Sequence, residues 1–282
     1  MSIIGEAERR AQNRVIDLLC GDKSGSPGGL HWRYLGDWQQ REGNANIGAA
    51  FLRPWLLKRG YALEIVTQAI TLLKREARMD GTKLYEANQS FYEMLRYGVA
   101  IAPGPGEAPV TVRFIDWSDP GENDLGVAEE VAIKGKDAKA WNKRPDLVLY
   151  VNGIALGTVE LKKSTVGVGE GIRQTLDYQR PEFIRHFFTT VQITFAGNDS
   201  EGLRYAPIQT PQPYWLAWKE ESEITARLDR DVTQMIAPAR FLELIHDFTL
   251  FDGGTKKIAR PNQYFAVKAA QERVRSDEGE TR

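Results

Sequence analysis

Along residues 6 to 20 the apolar positions recur at helical spacing, with Ala7, Ala11, Val15, Leu18 and Leu19 on one face. The same period runs through "NANIGAAFLRPWLLKRG" (44 to 60) and "ALEIVTQAITLLKREARM" (62 to 79), two further helices divided at Gly60-Tyr61. "LYEANQSFYEMLRYGVAI" (84 to 101) is helical as far as Gly98 and extended beyond it. The period then changes. "VTVRFIDW" (110 to 117) alternates as a strand does, and residues 127 to 133 make a short strand inside a polar segment. "RPDLVLYVNGIALGTVELKK" (144 to 163) holds two apolar runs joined by Asn152-Gly153, the pattern of a buried hairpin. A glycine-rich loop over 164 to 171 leads into a helix over 172 to 180, stopped by Pro181, and strands follow over 191 to 198 and 214 to 221. From about Glu220 the pattern is helical again through "FLELIHDFTLF" (241 to 251), a break at Gly253-Gly254, and "QYFAVKAAQERVR" (263 to 275). No internal repeat interrupts this order. Helices first, then a strand meander with one embedded helix, predict an α/β chain with a mixed β-sheet flanked by helices.

Composition narrows the class. The 282 residues are 42% hydrophobic and 27% charged, enough for one large domain with an additional piece; the pattern divides it into 1–220 and a helical linker over 221–282. The single cysteine, Cys20, excludes an internal disulfide and fits a reducing cytoplasm. His31, His186 and His246 show neither triad nor metal spacing. The N-terminus lacks the apolar core of a signal peptide, and no run approaches the ~20 apolar residues that span a bilayer, so a cytoplasmic protein without a membrane partner is expected. The balance of 37 Lys+Arg against 38 Asp+Glu argues against a coat-like nucleic-acid binder but does not forbid a local basic cleft. "GDKSGSPGG" (21 to 29) is a loop by composition.

The hairpin carries the chemistry. Residues two apart on a strand share a face, so Glu160 and Lys162 point together, and burying them without purpose is costly. A strict two-residue Asn152-Gly153 turn would set Asp146 opposite Val159, facing away from Glu160. A three-residue loop, a bulge near Gly157, or an Asp146 lying just before regular pairing would each bring the two carboxylates together. Two carboxylates suit Mg²⁺, a hard ion that keeps most of its waters. An adjacent ammonium orients a water and offsets charge building on phosphorus.

Asp146 followed by Glu160-x-Lys162 resembles the PD-(D/E)xK nuclease pattern. Its surroundings, "RPDLVLYVNGIALGTVELKKS", "GIRQTLDYQ", "FFTTVQITFAGNDSEGLRYAPI" and "YWLAW", resemble the N-terminal region of the restriction (R, motor) subunit of type I restriction–modification enzymes. "RYLGDWQQREGN", "LRYGV" and "IDW" continue the likeness upstream, so it covers nearly the whole chain. The resemblance implies a restriction-endonuclease-like core and an Mg²⁺-dependent endonuclease acting on double-stranded DNA after ATP-driven translocation by a full-length subunit. Modification (methyltransferase) and specificity subunits would be its partners. Asp146, Glu160 and the Leu161 backbone carbonyl would hold the metal, and Lys162 would position the attacking water.

Gln174 and Tyr178 match the QxxxY element of that family; they either support the site or contact DNA, or form a plain polar helix surface. Glu8 reads either as an additional metal carboxylate from the first helix or as an ordinary amphipathic-helix charge. Lys134, Lys136, Lys139, Lys143 and Arg144 read equally as a solvated face or as contacts to DNA phosphates. "RPNQYFAVKAAQERV" resembles the helix before the motor's ATP-binding loop, where Gln263 would read adenine; no GxxxxGK[ST] follows, so the chain is expected to be a fragment or truncated homologue without ATPase activity. The rival readings are a docking module that keeps the nuclease shape without catalysis, and a stand-alone DNA-repair nuclease. The loop over 21 to 29 departs from the family's tighter connection there.

Overall fold

The computed structural model describes residues 3–23, 29–79, 81–136 and 139–280. Most of the loop expected over 21 to 29 lies outside the described residues. The first half of the chain is helical, as its period predicts: α1 (Ile3–Cys20), α2 (Ala49–Lys58), α3 (Leu63–Glu76) and α4 (Leu84–Tyr97), with one strand, β1 (Arg33–Asp37), between α1 and α2. Two short strands, β2 (Val99–Ile101) and β3 (Val110–Val112), pair only with each other. The alternation over 110 to 117 therefore extends beyond the strand itself, and Phe114 and Ile115 are buried outside regular pairing.

The main sheet has seven strands in the order β1-β4-β5-β6-β7-β8-β9. They are β4 (Leu125–Glu129), β5 (Leu147–Val151), β6 (Ile154–Leu161), β7 (Ile193–Asn198), β8 (Gly202–Ala206) and β9 (Leu216–Ala217), besides β1. β1 and β4 are parallel, as are β6 and β7, and every other neighbour is antiparallel. The helix α5 (Val168–Tyr178) makes the crossover from β6 to β7 and begins inside the stretch expected to be loop. The fold is thus mixed α/β, a large mixed sheet flanked by helices, consistent with a restriction-endonuclease-like core.

Beyond β9, α6 (Arg227–Ile236) and α7 (Pro238–His246) bury Leu228, Val232, Phe241 and Leu244 in the same apolar cluster as the central strands. The helix expected over 241 to 251 ends at His246. Beyond it β10 (Thr249–Asp252) pairs with β11 (Thr255–Ile258) across Gly253-Gly254, both at positive φ, which is the geometry of a tight hairpin turn rather than a helix break. α8 (Pro261–Glu280) closes the chain.

The two faces of the sheet carry different clusters. Leu147, Leu149 and Val151 of β5 pack with α1, α6 and α7, while Val148 and Tyr150 face Tyr178, Phe187 and Phe188. The β5–β6 turn is tight, with Asn152 at φ 53° and Gly153 at φ 80°. A Cβ on Gly153 would stand 2.6 Å from the Gly48 carbonyl oxygen and 2.9 Å from Phe51 Cβ. Gly153→Ala should therefore destabilise the fold by about 2 kcal/mol or more, from left-handed strain and backbone collision together. Urea titration should show a lower midpoint with an unchanged slope; an unaltered midpoint would contradict this account of the turn.

Candidate active site

β5 and β6 start from the turn in strict register, with Val151 opposite Ile154 and Tyr150 opposite Ala155, and then shift: Leu149 faces Gly157, and Leu147 faces Val159. Leu156 is the extra residue of a β-bulge. Before the bulge Ile154 points into the α1 side of the sheet; after it Val159 and Leu161 do. The parity of β6 has changed. Asp146, one residue before Leu147, consequently comes level with Glu160 on the opposite, α5 side. Its Oδ2 accepts the Leu161 N–H at 2.7 Å. The bulge sits where a side chain would be crowded, since a Cβ on Gly157 would lie 3.0 Å from Leu149 Cδ1 and 3.2 Å from Phe241 Cζ.

Glu160 and Lys162 share that face, and Lys162 Nζ donates to Glu160 Oε1 at 2.8 Å. Glu160 is buried, and its other oxygen, Oε2, has no hydrogen-bond partner among the described residues. α5 lies directly against the pair: a Cβ on Gly171 would stand 3.5 Å from Lys162 Cγ and 3.6 Å from Glu160 Cγ. One helical turn further, Gln174 Nε2 donates to the Tyr178 hydroxyl, which itself lies 3.5 Å from the Arg144 carbonyl it faces. Tyr178 is buried against the sheet, so the plain-surface reading does not describe it.

Electrostatics follow from this packing. Burial is the main reason the Asp146 carboxyl is pushed up to about 6; the Leu161 N–H and Lys162 pull it back, while Glu130 and Glu8 push it further. Glu160 is held well above the usual carboxylate range by burial first and by Asp146 second. For Lys162 burial favours the neutral amine, but Glu160, Asp146 and Glu8 outweigh it, and the net shift is upward. Lys162 is therefore an ammonium. The Tyr178 phenol is raised by burial and by the Glu160 carboxylate.

These groups line one cleft of about 880 Å³, together with Glu8, Arg9, Glu130, Lys143 and Arg144. The basic run is divided. Lys143 and Arg144 reach the cleft, Lys143 with its Nζ 4.1 Å from the centre of the Phe183 ring, whereas Lys136 donates to the Met79 carbonyl. Gln263 stands elsewhere, beside the β10–β11 hairpin in a second cavity of about 910 Å³. There its Oε1 accepts the Arg260 N–H at 2.9 Å, the task of a side chain at a helix start.

Sequence reasoning missed Arg9, Gln12, Glu129 and Glu130. Glu129 is buried and receives Gln12, Lys23 and the Tyr34 hydroxyl. Two adjacent acids closing an apolar strand, in "VAEEV", were the available signal. Among the described residues no group of three or more His, Cys, Asp and Glu side chains is arranged to hold a metal. Two carboxylates, one with an unpartnered buried oxygen, nevertheless fit a hard ion that takes few protein ligands and keeps its waters.

Residues 8–212 match the family described as the type I restriction enzyme R protein N terminus. The chain belongs to this family. It is 29% identical over 202 residues, 64% of its length, to a putative type I restriction enzyme MjaVIIP endonuclease subunit of Methanocaldococcus jannaschii, of which the match covers 18%. It is 27% identical over 218 residues, 71% of its length, to the type I restriction enzyme HindI endonuclease subunit of Haemophilus influenzae, of which 20% is covered. A Staphylococcus aureus subunit, SauMSSORF170P, is 23% identical over 174 residues, with 58% of this chain and 18% of that protein covered. The chain thus spans about a fifth of the length of these relatives. No helix among the described residues is long and apolar enough to cross a membrane.

The raised carboxyls have a consequence for stability. An acid whose pKa rises on folding holds its proton better in the folded chain, so its contribution favours folding at low pH and is lost as pH climbs through the folded pKa. For Asp146 that window runs from its ordinary value of 3.8 to about 6. Asp146→Asn keeps an oxygen for the Leu161 N–H but removes the charge. At about pH 8 it should be more stable than the wild type by about 1–2 kcal/mol, the cleft water screening part of the full shift, and at about pH 4 the advantage should vanish. Denaturant titrations at both pH values measure this, and a less stable Asp146→Asn at the higher pH would refute it.

Proposed function

We propose that this cleft is the hydrolytic centre of a divalent-metal-dependent DNA endonuclease. The observation that carries the reading is the convergence of Asp146, Glu160 and Lys162 on one face, with Glu160 Oε2 buried and unpartnered. A carboxylate oxygen without a proton donor in the interior costs free energy, and a bound cation removes that cost. Asp146, Glu160 and the Leu161 carbonyl would hold Mg²⁺, with Glu8 near enough to add to the negative field. When bound, the ion supplies Lewis acidity to a phosphodiester oxygen and lowers the pKa of a water.

The protein's own groups do the rest. Lys162, kept as an ammonium by the carboxylates around it, orients the attacking water and offsets charge building on the phosphate. Gln174 and Tyr178 brace the Glu160 side of the cleft from α5, and Lys143 and Arg144 at its mouth meet the DNA backbone. Within a full-length R subunit the substrate would be double-stranded DNA, cut after ATP-driven translocation by a helicase-like motor outside these 282 residues. Recognition and methylation would belong to specificity and modification subunits.

Asp146→Ala and Glu160→Ala should abolish Mg²⁺-dependent cleavage by the assembled enzyme while unfolding stays cooperative. Lys162→Ala should lower cleavage by about 100-fold or more while still binding Mn²⁺ in calorimetry, because it holds no metal. A Lys162→Ala enzyme cutting at the wild-type rate would remove the residue from the chemistry.

The chain alone should behave differently. With formal charge −1 it has no diffuse positive field, so its hold on DNA rests on a few phosphate contacts. Mobility shifts on unrelated duplexes should show weak binding without sequence preference, falling steeply with salt, and no ATP should be hydrolysed. Tight binding to one sequence would count against this division of labour.

A further inference from the structure

Among the described residues that line the cleft, Glu130 is the one non-glycine residue with a left-handed backbone. It follows the last residue of β4, and its N–H donates to the Asp146 carbonyl at 2.8 Å, so it stands directly across the ladder from Asp146. Opposed residues share a face, and so do Arg144 and Asp146, two apart at the entry to β5. Yet Glu130 sits at φ 52°, a left-handed conformation that a non-glycine residue adopts only at a cost. The turn also reverses which residues face the core, since Ala128 before it and Val131 and Ile133 after it enter the same apolar cluster, and it leaves the Glu130 side chain at the cleft.

The carboxylate is occupied on both sides. Oε2 is ion-paired with Arg144, whose Nε lies 2.7 Å away, and Oε1 accepts from Arg9 Nη1 at 3.4 Å. Arg9 is in turn held by Glu129 and Asp37 at 3.3 and 3.4 Å, so it is spent within the cluster and anchors Glu130 to α1. Arg144 is not spent. Only its Nε is engaged; its two terminal nitrogens have no partner among the described residues, and the side chain is 45% exposed. A guanidinium pinned along one edge presents the remaining N–H fork in a fixed direction, which is the arrangement that grips two oxygens of a phosphate.

We propose that Glu130 is a positioning residue: it holds Arg144 as a pre-set clamp for a backbone phosphate of the nucleic acid, beside the phosphate at Asp146 and Glu160. This rests on the nuclease reading above and adds to it the residue that aims the contact. The clamp makes a prediction opposite to plain electrostatics. Removing an acid from an anion-binding cleft should tighten DNA binding if Glu130 acts only as a charge. If it aims Arg144, its removal should weaken binding.

The test uses the 282-residue chain with Ca²⁺ in place of Mg²⁺ and a short fluorescein-labelled duplex, followed by anisotropy across a salt series. Arg144→Ala should weaken binding about tenfold and lower the salt slope by about one. Glu130→Ala should weaken it about three- to tenfold with the same loss of slope, and Glu130→Gln, which keeps an oxygen facing Arg144, should restore most of both. In an Arg144→Ala background, Glu130→Ala should cost nothing further, since coupled residues are not additive. Binding by Glu130→Ala equal to or tighter than wild type overturns the clamp, as does the absence of measurable wild-type binding at low salt. Arg144→Ala, altered at an exposed side chain, keeps the test valid if Glu130→Ala folds poorly. Failure of the underlying reading is seen separately, as undiminished cleavage by the Asp146→Ala and Lys162→Ala enzymes.

Discussion

One extra residue in one strand organises this protein's chemistry. Leu156 bulges from β6 and reverses which of its residues face which side of the sheet. Were the pairing strict, Glu160 and Lys162 would follow Ile154 into the cluster that holds Val15, Ile16 and Phe241, and Asp146 would stay alone on the other side with Val148 and Tyr150. With the bulge, apolar residues of β6 stay on that side both before and after it, and the charged ones gather beneath α5. The same shift aligns Arg144 and Glu130 with them, since both are tied to Asp146 by ladder and strand parity. Everything polar in the cleft inherits its address from that register.

The site is held in electrostatic tension. Two acids and one ammonium lie in the middle of a seven-stranded sheet, away from most water, with Glu8 and Glu130 adding negative field. Lys162 offsets only part of it, because it donates to one oxygen of Glu160 and leaves the other alone. Such an arrangement opposes folding at neutral pH and is carried by the apolar packing around it. Placing it on central strands gives the geometry the precision that a loop would not. The tension is also what makes the cleft receptive to a cation: binding removes repulsion that folding left in place.

The amphipathic helices α1 to α4 were legible in residue spacing because each buries a single stripe, and the hairpin was legible from two apolar runs around Asn152-Gly153. β1 was not, since "RYLGD" is short, half-buried and carries Gly36 at φ 117°. Nor was the β10–β11 hairpin, whose first strand continues the apolar spacing of α7. β1 takes its identity from β4, about ninety residues on, whereas in β10–β11 the local Gly253-Gly254 turn signal was outweighed by apolar spacing that also suits a helix.

The candidate site divides along the same line. That Glu160 and Lys162 share a face follows from the two-residue repeat of a strand and needs no fold. Whether Asp146 joins them was open, because a turn, a bulge or irregular pairing would each suffice and all are compatible with the same letters. The folded hairpin adopts the bulge, with Leu149 across the ladder and Phe241 from distant α7 leaving Gly157 just enough room. Arg9 and Glu130 belong wholly to the tertiary structure: they lie 121 residues apart and meet only because α1 crosses the end of β4 beside β5. Spacing dictates what one element presents; only packing decides what stands opposite it, because contact energies act across space and not along the chain.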